Sequence, residues 1–204
     1  MTLMAERPVI DGTEPHSDFE ELLDVLDELH VPDGYKAEII RGSIVVSPWS
    51  KGYYSRVMRL VCKQLEPYLP EGHQIDYGPF LFAFPGEASA FGPDIHAAHE
   101  EVFETESNHL DGEGLVFAAE LTSPSTRSRD VTDKPEVYAK AGVPVYLLLD
   151  MTDEQATVFW SPSAKGYESH CTMPFGGQLP MPAPFDCHLD TAGFATPAKK
   201  ESAT

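Results

Sequence analysis

The chain has 204 residues, 42% of them apolar, with 33 acids against 14 bases and a net charge of −19. This is enough apolar material for one packed domain, which excludes wholesale disorder, and 18 prolines and 15 glycines without a short period exclude collagen and coiled coils. No apolar run approaches the roughly 20 residues of a bilayer span, and the acidic excess argues against a non-specific polyanion binder.

The charge is unevenly placed. Residues 1–38 carry eleven acids and two bases, and residues 94–120 carry eight acids and no base. The bases gather at Arg41, Lys51, Arg56, Arg59 and Lys63, and again at Arg127, Arg129, Lys134 and Lys140. Such clusters leave room for a local basic strip, although a solvated face is the plainer reading of each. Cys62, Cys171 and Cys187 are too few and too scattered for a disulfide framework and read as reduced thiols. Residues 1–11 lack an apolar signal core, so a cytoplasmic location is expected.

In chain order, residues 1–16 are polar and aperiodic and read as a loose acidic arm. A helix is predicted over 17–30, with Ser17 and Glu20 as a capping box and Phe19, Leu22, Leu23, Leu26 and Leu29 on one face. Pro32-Asp33-Gly34 is turn chemistry. A hairpin is predicted over 37–47, turning at Arg41-Gly42. Helical spacing of Tyr54, Val57, Met58, Val61, Leu65 and Tyr68 predicts a second helix over 53–69, stopped by Pro70-Glu71-Gly72. Strands are expected at 75–84 and 93–98, and residues 100–114 read as a polar connection. Residues 115–121 form a buried-type strand. A helix is predicted over 132–141, with Pro135 in its first turn, Lys134 beside it and Gly142 closing it. Another buried strand follows at 146–149, then a hairpin from 156–160 and 167–173. The chain from Pro174 is expected to wrap the surface. The domain is placed at 17–190, with a loose tail at 191–204.

Two acids stand out by position. Asp94 opens a β-like run after Pro93, and Glu120 ends the apolar run that begins at Leu115. A carboxylate at the end of a buried strand is costly unless it is paired, hydrogen-bonded or metal-bound. If the two strands are neighbours, the carboxylates converge, and paired oxygens suit a hard cation such as Mg²⁺ or Mn²⁺. The alternative is that each acid caps a turn or sits on a rim. Downstream, Ser123, Ser125, Thr126, Arg127 and Arg129 offer hydroxyl and guanidinium donors that suit phosphate, or an ordinary loop that caps the next helix. A lysine in a first helical turn opposes the macrodipole, which makes Lys134 a weak hint of a role beyond structure.

These pieces together resemble a known family. Residues 35–44 (Tyr-Lys-Ala-Glu-Ile-Ile-Arg-Gly-Ser-Ile), Pro93-Asp94, the segment Glu120-Leu121-Thr122-Ser123-Pro124-Ser125-Thr126, Arg129-Asp130, Lys134, Tyr138 and residues 141–150 resemble, in order, the Uma-two family of restriction-endonuclease-like proteins. That family looks like a branch of the PD-(D/E)XK nucleases. The resemblance implies an α/β fold, a restriction-endonuclease-like mixed β-sheet core flanked by α-helices, and Mg²⁺-dependent hydrolysis of DNA phosphodiesters, with Mn²⁺ as a substitute. It implies Asp94 and Glu120 as metal ligands, the Leu121 carbonyl as a further oxygen, and Glu38 as an accessory acid. Two departures matter. The superfamily lysine two positions after the glutamate is Thr122 here, so the resemblance assigns its place to Lys134. After Pro48, where relatives often carry a histidine, stands Trp49-Ser50-Lys51. Members often dimerise to cut two strands, so a homodimer is a further expectation.

Other chemistry is weaker. His96 and His99 would face opposite sides of a strand and lack the helical zinc signature. No nucleophile elbow surrounds Ser123 or Ser125. Trp49 and Trp160 could stack bases, but core or rim packing is the plainer expectation. Cys62 reads as an inert packing residue. Two further readings stand beside the nuclease: a nuclease-fold module that binds nucleic acid or protein without cutting, and an interaction protein that works through its acidic arm.

Overall fold

The computed structural model describes residues 15–195; most of the expected arm and residues 196–204 lie outside the described residues. In chain order the elements are α1 (Pro15–Glu28), β1 (Tyr35–Ile40), β2 (Ser43–Pro48), α2 (Tyr54–Leu65), β3 (His73–Asp76), β4 (Leu81–Phe84), β5 (Ser89–Phe91), β6 (Ile95–His99), β7 (His109–Asp111), β8 (Leu115–Thr122), α3 (Arg127–Lys140), β9 (Val145–Asp150), β10 (Gln155–Ser163), β11 (Gly166–Pro174), β12 (Gln178–Met181) and β13 (Cys187–Asp190). Short 3₁₀ turns fill several connections.

The central sheet runs β11-β10-β9-β8-β6-β3 and is mixed. Only β8 and β9 pair in parallel within it, joined by α3 as a crossover helix. A second sheet runs β2-β1-β5-β4-β7. Alternation along β8 explains the layering. Phe117, Ala119 and Leu121 face one core, with Val57, Val61 and Leu65 of α2. Ala118 faces the other, with Val137 and Tyr138 of α3 and Phe82, Phe84 and Phe91 of the second sheet. Glu120 shares the parity of Ala118, so it points between the two sheets toward α3. The result is the α/β fold expected from the sequence, with a mixed β-sheet core flanked by α-helices.

Several local expectations shift. The run 75–84 is two strands in different sheets, because Gly78-Pro79 interrupts it and proline has no N–H for a ladder. The second helix stops at Leu65 and tightens into a 3₁₀ turn over Glu66–Tyr68, since Pro67 cannot donate. α1 starts at Pro15, so Ser17 lies inside its first turn rather than ahead of it. The polar connection at 100–114 contains the short strand β7.

The largest shift concerns α3. It begins at Arg127, five residues earlier than predicted, so Pro135 is in the helix interior and Lys134 is not in the first turn. The macrodipole argument for Lys134 therefore falls. Pro135 removes the donor that the Val131 carbonyl would accept, and Val131 is 42% exposed, where water can replace it. The closure at Gly142 holds. Gly142 has φ +82°, its N–H donates to Ala139, and the Val143 N–H donates to Tyr138, as in a Schellman end.

The chain after Pro174 does more than wrap the surface. β12 and β13 form a hairpin that delivers Leu179, Met181, Phe185 and Leu189 to the α2-side core, and Phe194 follows, fully buried. The Phe185 ring meets Phe117 edge-on at 5.3 Å between centroids. Truncating Phe185 to Ala is expected to cost about 3–5 kcal/mol in urea unfolding, as for a core aromatic. A surface wrap would lose under about 0.5 kcal/mol.

His96 is fully buried on β6, with neither ring nitrogen hydrogen-bonded, among Phe80, Phe82 and Phe103. Burial pushes its pKa down to about 4 from 6.5. The unfolded chain therefore takes the proton first as pH falls. Stability should be intact above pH 6.5 and should decline between 6.5 and 4, by up to ~1.4 kcal/mol per pH unit. A pH series of urea melts checks this, and His96→Leu should flatten the slope in that window.

Candidate active site

β1 alternates its side chains, so Lys36 and Glu38 project from the same face. That face looks onto the end of β8 and onto α3. Lys36 Nζ donates to the Gly92 carbonyl at 2.7 Å and lies 3.3 Å from Glu38. The Gly92 N–H donates back to Glu38 Oε1 at 3.0 Å. This exchange locks the loop before Asp94 onto β1. Asp94 then sits just ahead of β6 with both oxygens held. Ser50 Oγ donates to Oδ1 at 2.5 Å, and the Leu121 N–H donates to Oδ2 at 2.8 Å. Ser50, in the stretch after Pro48 that departs from the family pattern, thus supplies a contact to Asp94.

Glu120 is buried at the end of β8. Lys134 reaches it from α3 at 2.7 Å, and also reaches Glu38 at 3.0 Å and Asp130 at 3.6 Å. Asp130 is one helical turn before Lys134, so the two share a face. Four carboxylates (Glu38, Asp94, Glu120, Asp130) therefore surround two ammonium groups (Lys36, Lys134). A pocket of about 130 Å³ opens on them, lined also by Ser123, Ser125 and Thr126.

Glu38 and Glu120, both in contact with Lys134, differ in environment. Burial raises Glu38, but Lys134, Lys36 and the Gly92 N–H outweigh it and hold its pKa down near 2. Burial also raises Glu120, and there Lys134 and Lys36 do not compensate against Asp130 and Asp94, so its pKa climbs to about 8. Burial pulls Lys134 down, yet Glu120, Glu38 and Asp130 overcome it and hold the ammonium charged. Glu120 is therefore a buried carboxylate short of positive charge. Such a group seeks a proton or a cation.

Among the described residues no three His, Cys, Asp or Glu side chains gather into a ready-made metal cluster. The available oxygens are carboxylates of Asp94 and Glu120 with a strand backbone between them, beside excess negative charge. Mg²⁺ commonly takes one or two carboxylates and completes its shell with water and phosphate. The residues present fit that pattern and not a closed zinc cage.

Not every predicted residue joins the cluster. Glu38, Asp94, Glu120, Leu121 and Lys134 line the pocket, with Ser123, Ser125 and Thr126 at its wall. Those three hydroxyls bond one another, Ser123 Oγ to Ser125 Oγ at 3.0 Å and to Thr126 Oγ1 at 3.3 Å. Arg127 is instead committed to Asp150 at 2.7 Å and Asp153 at 2.8 Å. Arg129 donates to the Ser125 carbonyl at 3.2 Å. Sequence reasoning gave no role to Lys36, Ser50 or Asp130. The spacing of Lys36 to Glu38 and of Asp130 to Lys134 was the available signal.

Residues 18–192 match the model of the Uma2 family, described as "Putative restriction endonuclease". No curated protein matches the chain. Among solved structures, one described as a "putative nuclease belonging to DUF820", from Anabaena variabilis, is similar with a TM-score of 0.62. It is 18% identical over 85% of this chain and 94% of that one, a likeness that shows the fold. The family match spans nearly the whole domain, from α1 through β13, and the chain belongs to the Uma2 family.

Proposed function

We propose that this protein is an endonuclease that hydrolyses DNA phosphodiesters in the cytoplasm with Mg²⁺, or Mn²⁺ in its place, held by Asp94 and Glu120. The carrying observation is the crowding around Glu120: a buried carboxylate near Asp94 and Asp130 whose one contacting ammonium, Lys134, is shared with Glu38 and Asp130. When bound, a divalent cation there supplies Lewis acidity toward the scissile phosphate and an acidified water.

The chain's own residues do the rest. Asp94 is oriented by Ser50 and by the Leu121 N–H. A residue's N–H and C=O leave a strand on the same side, which directs the Leu121 carbonyl toward Asp94 and supports it as a third oxygen ligand. Lys134 lends positive charge where negative charge develops on phosphate, at a site with little water to screen it. Glu38 stays ionised and anchors Lys134, so its accessory role is to position that lysine. Ser123, Ser125 and Thr126 present hydroxyls to the flanking phosphate; Arg129 is placed to assist, while Arg127 must first leave its two aspartates. A homodimer would bring two such sites to two strands.

The test is cleavage of supercoiled plasmid and single-stranded DNA with Mg²⁺, with Mn²⁺ and with chelator. Nicking that needs the metal is the expected result. DNA binding with no cleavage under any metal would instead favour a nuclease-fold module that binds without cutting.

A further inference from the structure

A second and larger cavity, of about 530 Å³, adjoins the carboxylate pocket. The two share Lys36, Glu38, Trp49, Ser50 and Asp94 as common walls. Four large aromatic side chains line the larger cavity while remaining open to solvent: Tyr35 (47% exposed), Trp49 (50%), Tyr77 (40%) and Phe80 (40%). A single exposed aromatic needs no explanation. Four around one cavity form an apolar patch that a folded chain would otherwise hide.

The aromatic wall is held in place. The backbone N–H of Trp49 donates to the Gly34 carbonyl at 2.9 Å, which fixes the main chain that carries the indole. Phe80 packs edge-on against buried His96, with centroids 5.5 Å apart. Gly78 is required for that placement, because a Cβ there would lie 2.9 Å from the Phe80 ring. Tyr77 and Phe80 belong to the crossing between the two sheets, so both sheets contribute to the cavity.

We propose that this cavity is a nucleobase subsite: it takes the unpaired base of a nucleotide next to the scissile phosphate, so that the substrate is single-stranded or locally unpaired DNA. The inference rests on the nuclease reading for the identity of the strand and deepens it. Surface chemistry decides which part of a nucleotide enters. Lys36, Glu38 and Asp94 at the shared wall are already committed to one another, to Lys134, to Ser50 and to backbone groups, so the rest of the cavity offers mainly apolar and aromatic surface, which suits a base and not a phosphate. The aromatic faces offer stacking, which every base can use. The size suits a small ligand unit. An intact duplex keeps its bases stacked inside and cannot present one to such a chamber without extruding it.

The experiment measures binding of fluorescein-labelled oligothymidylate, and of a mixed-sequence duplex of equal length, to the full chain in chelator. The single strand should bind at least about tenfold more tightly. Trp49→Ala and Tyr77→Ala should each weaken it by about five- to a hundredfold, with duplex binding unchanged. Trp49→Phe keeps an aromatic face, so it should bind within about threefold of the parent while losing tryptophan quenching by the strand. Equal binding of strand and duplex, or alanine variants that bind like the parent, would overturn the subsite. The two readings separate cleanly. If no metal supports cleavage yet the aromatic-dependent strand preference stands, the subsite survives and the nuclease reading falls. If cleavage is present and the alanine variants cut strand and duplex with the parent KM, the subsite falls and the nuclease reading survives.

Discussion

Asp94→Asn and Glu120→Gln are each expected to lower metal-dependent nicking by roughly a thousandfold or more, because a bound cation contributes several kcal/mol to such a reaction and each tenfold is 1.36 kcal/mol. Neither substitution should unfold the protein. Asparagine keeps an oxygen to accept from Ser50 or from the Leu121 N–H, which hold Asp94 at 2.5 and 2.8 Å. Glutamine at 120 resembles the protonated carboxyl favoured below pH about 8 and can still accept from Lys134. A second readout separates metal binding from chemistry. Mg²⁺ at about 100 times its Kd adds ~2.7 kcal/mol to the parent. That raises Tm by roughly 5–10 °C for a domain of this size. The shift should vanish in both variants. Cleavage at the parent rate in either one would remove that residue from the metal site.

Lys134→Met is expected to be the most destabilising single change at the site. Methionine replaces most of the volume, so the effect reports charge and not a cavity. It leaves Glu120 and Asp130 buried with no cation in contact and Glu38 with Lys36 alone, and breaking a buried ion cluster from one side costs about 3–5 kcal/mol. The corresponding fall in Tm is roughly 6–20 °C. Activity should be lost with it. Lys134→Arg should not rescue, since a planar guanidinium does not fit a site built for a point charge with three carboxylates at 2.7, 3.0 and 3.6 Å. The double variant Lys134→Met/Glu120→Gln should recover only part of the loss, because Glu120 is then neutral while Glu38 and Asp130 still lack the ammonium. A Tm unchanged in Lys134→Met would mean that the lysine does not hold the cluster together.

Much of the fold was legible locally. The apolar spacing of Val57, Val61 and Leu65 marked α2, and the run from Leu115 marked β8 with its acid at the end. The turn at Arg41-Gly42 marked the first hairpin, and Gly42 takes φ +73° there. These signals survive because helix and strand periods are properties of consecutive residues. Asp94 and Glu120 were visible for a related reason: each is a charge where its own segment should be dry.

Local sequence thus sets which segments bury which faces and which acids lie at the ends of buried runs. Which of these residues meet depends on how distant segments pack. Lys134 bonds Glu38 across 96 residues, Lys36 bonds Gly92 across 56, and Ser50 bonds Asp94 across 44. Tertiary packing also decides that 75–84 divides between two sheets, that α3 runs through Pro135, and that Tyr35, Trp49, Tyr77 and Phe80 share one cavity. Sheet order and the β8-α3-β9 crossover set those meetings, and no local period encodes them. The same holds for charge: Glu38 and Glu120 both lie near Lys134 and Lys36, and the Gly92 N–H on the first, against the Asp130 and Asp94 charges facing the second, makes one ionise near pH 2 and the other near 8.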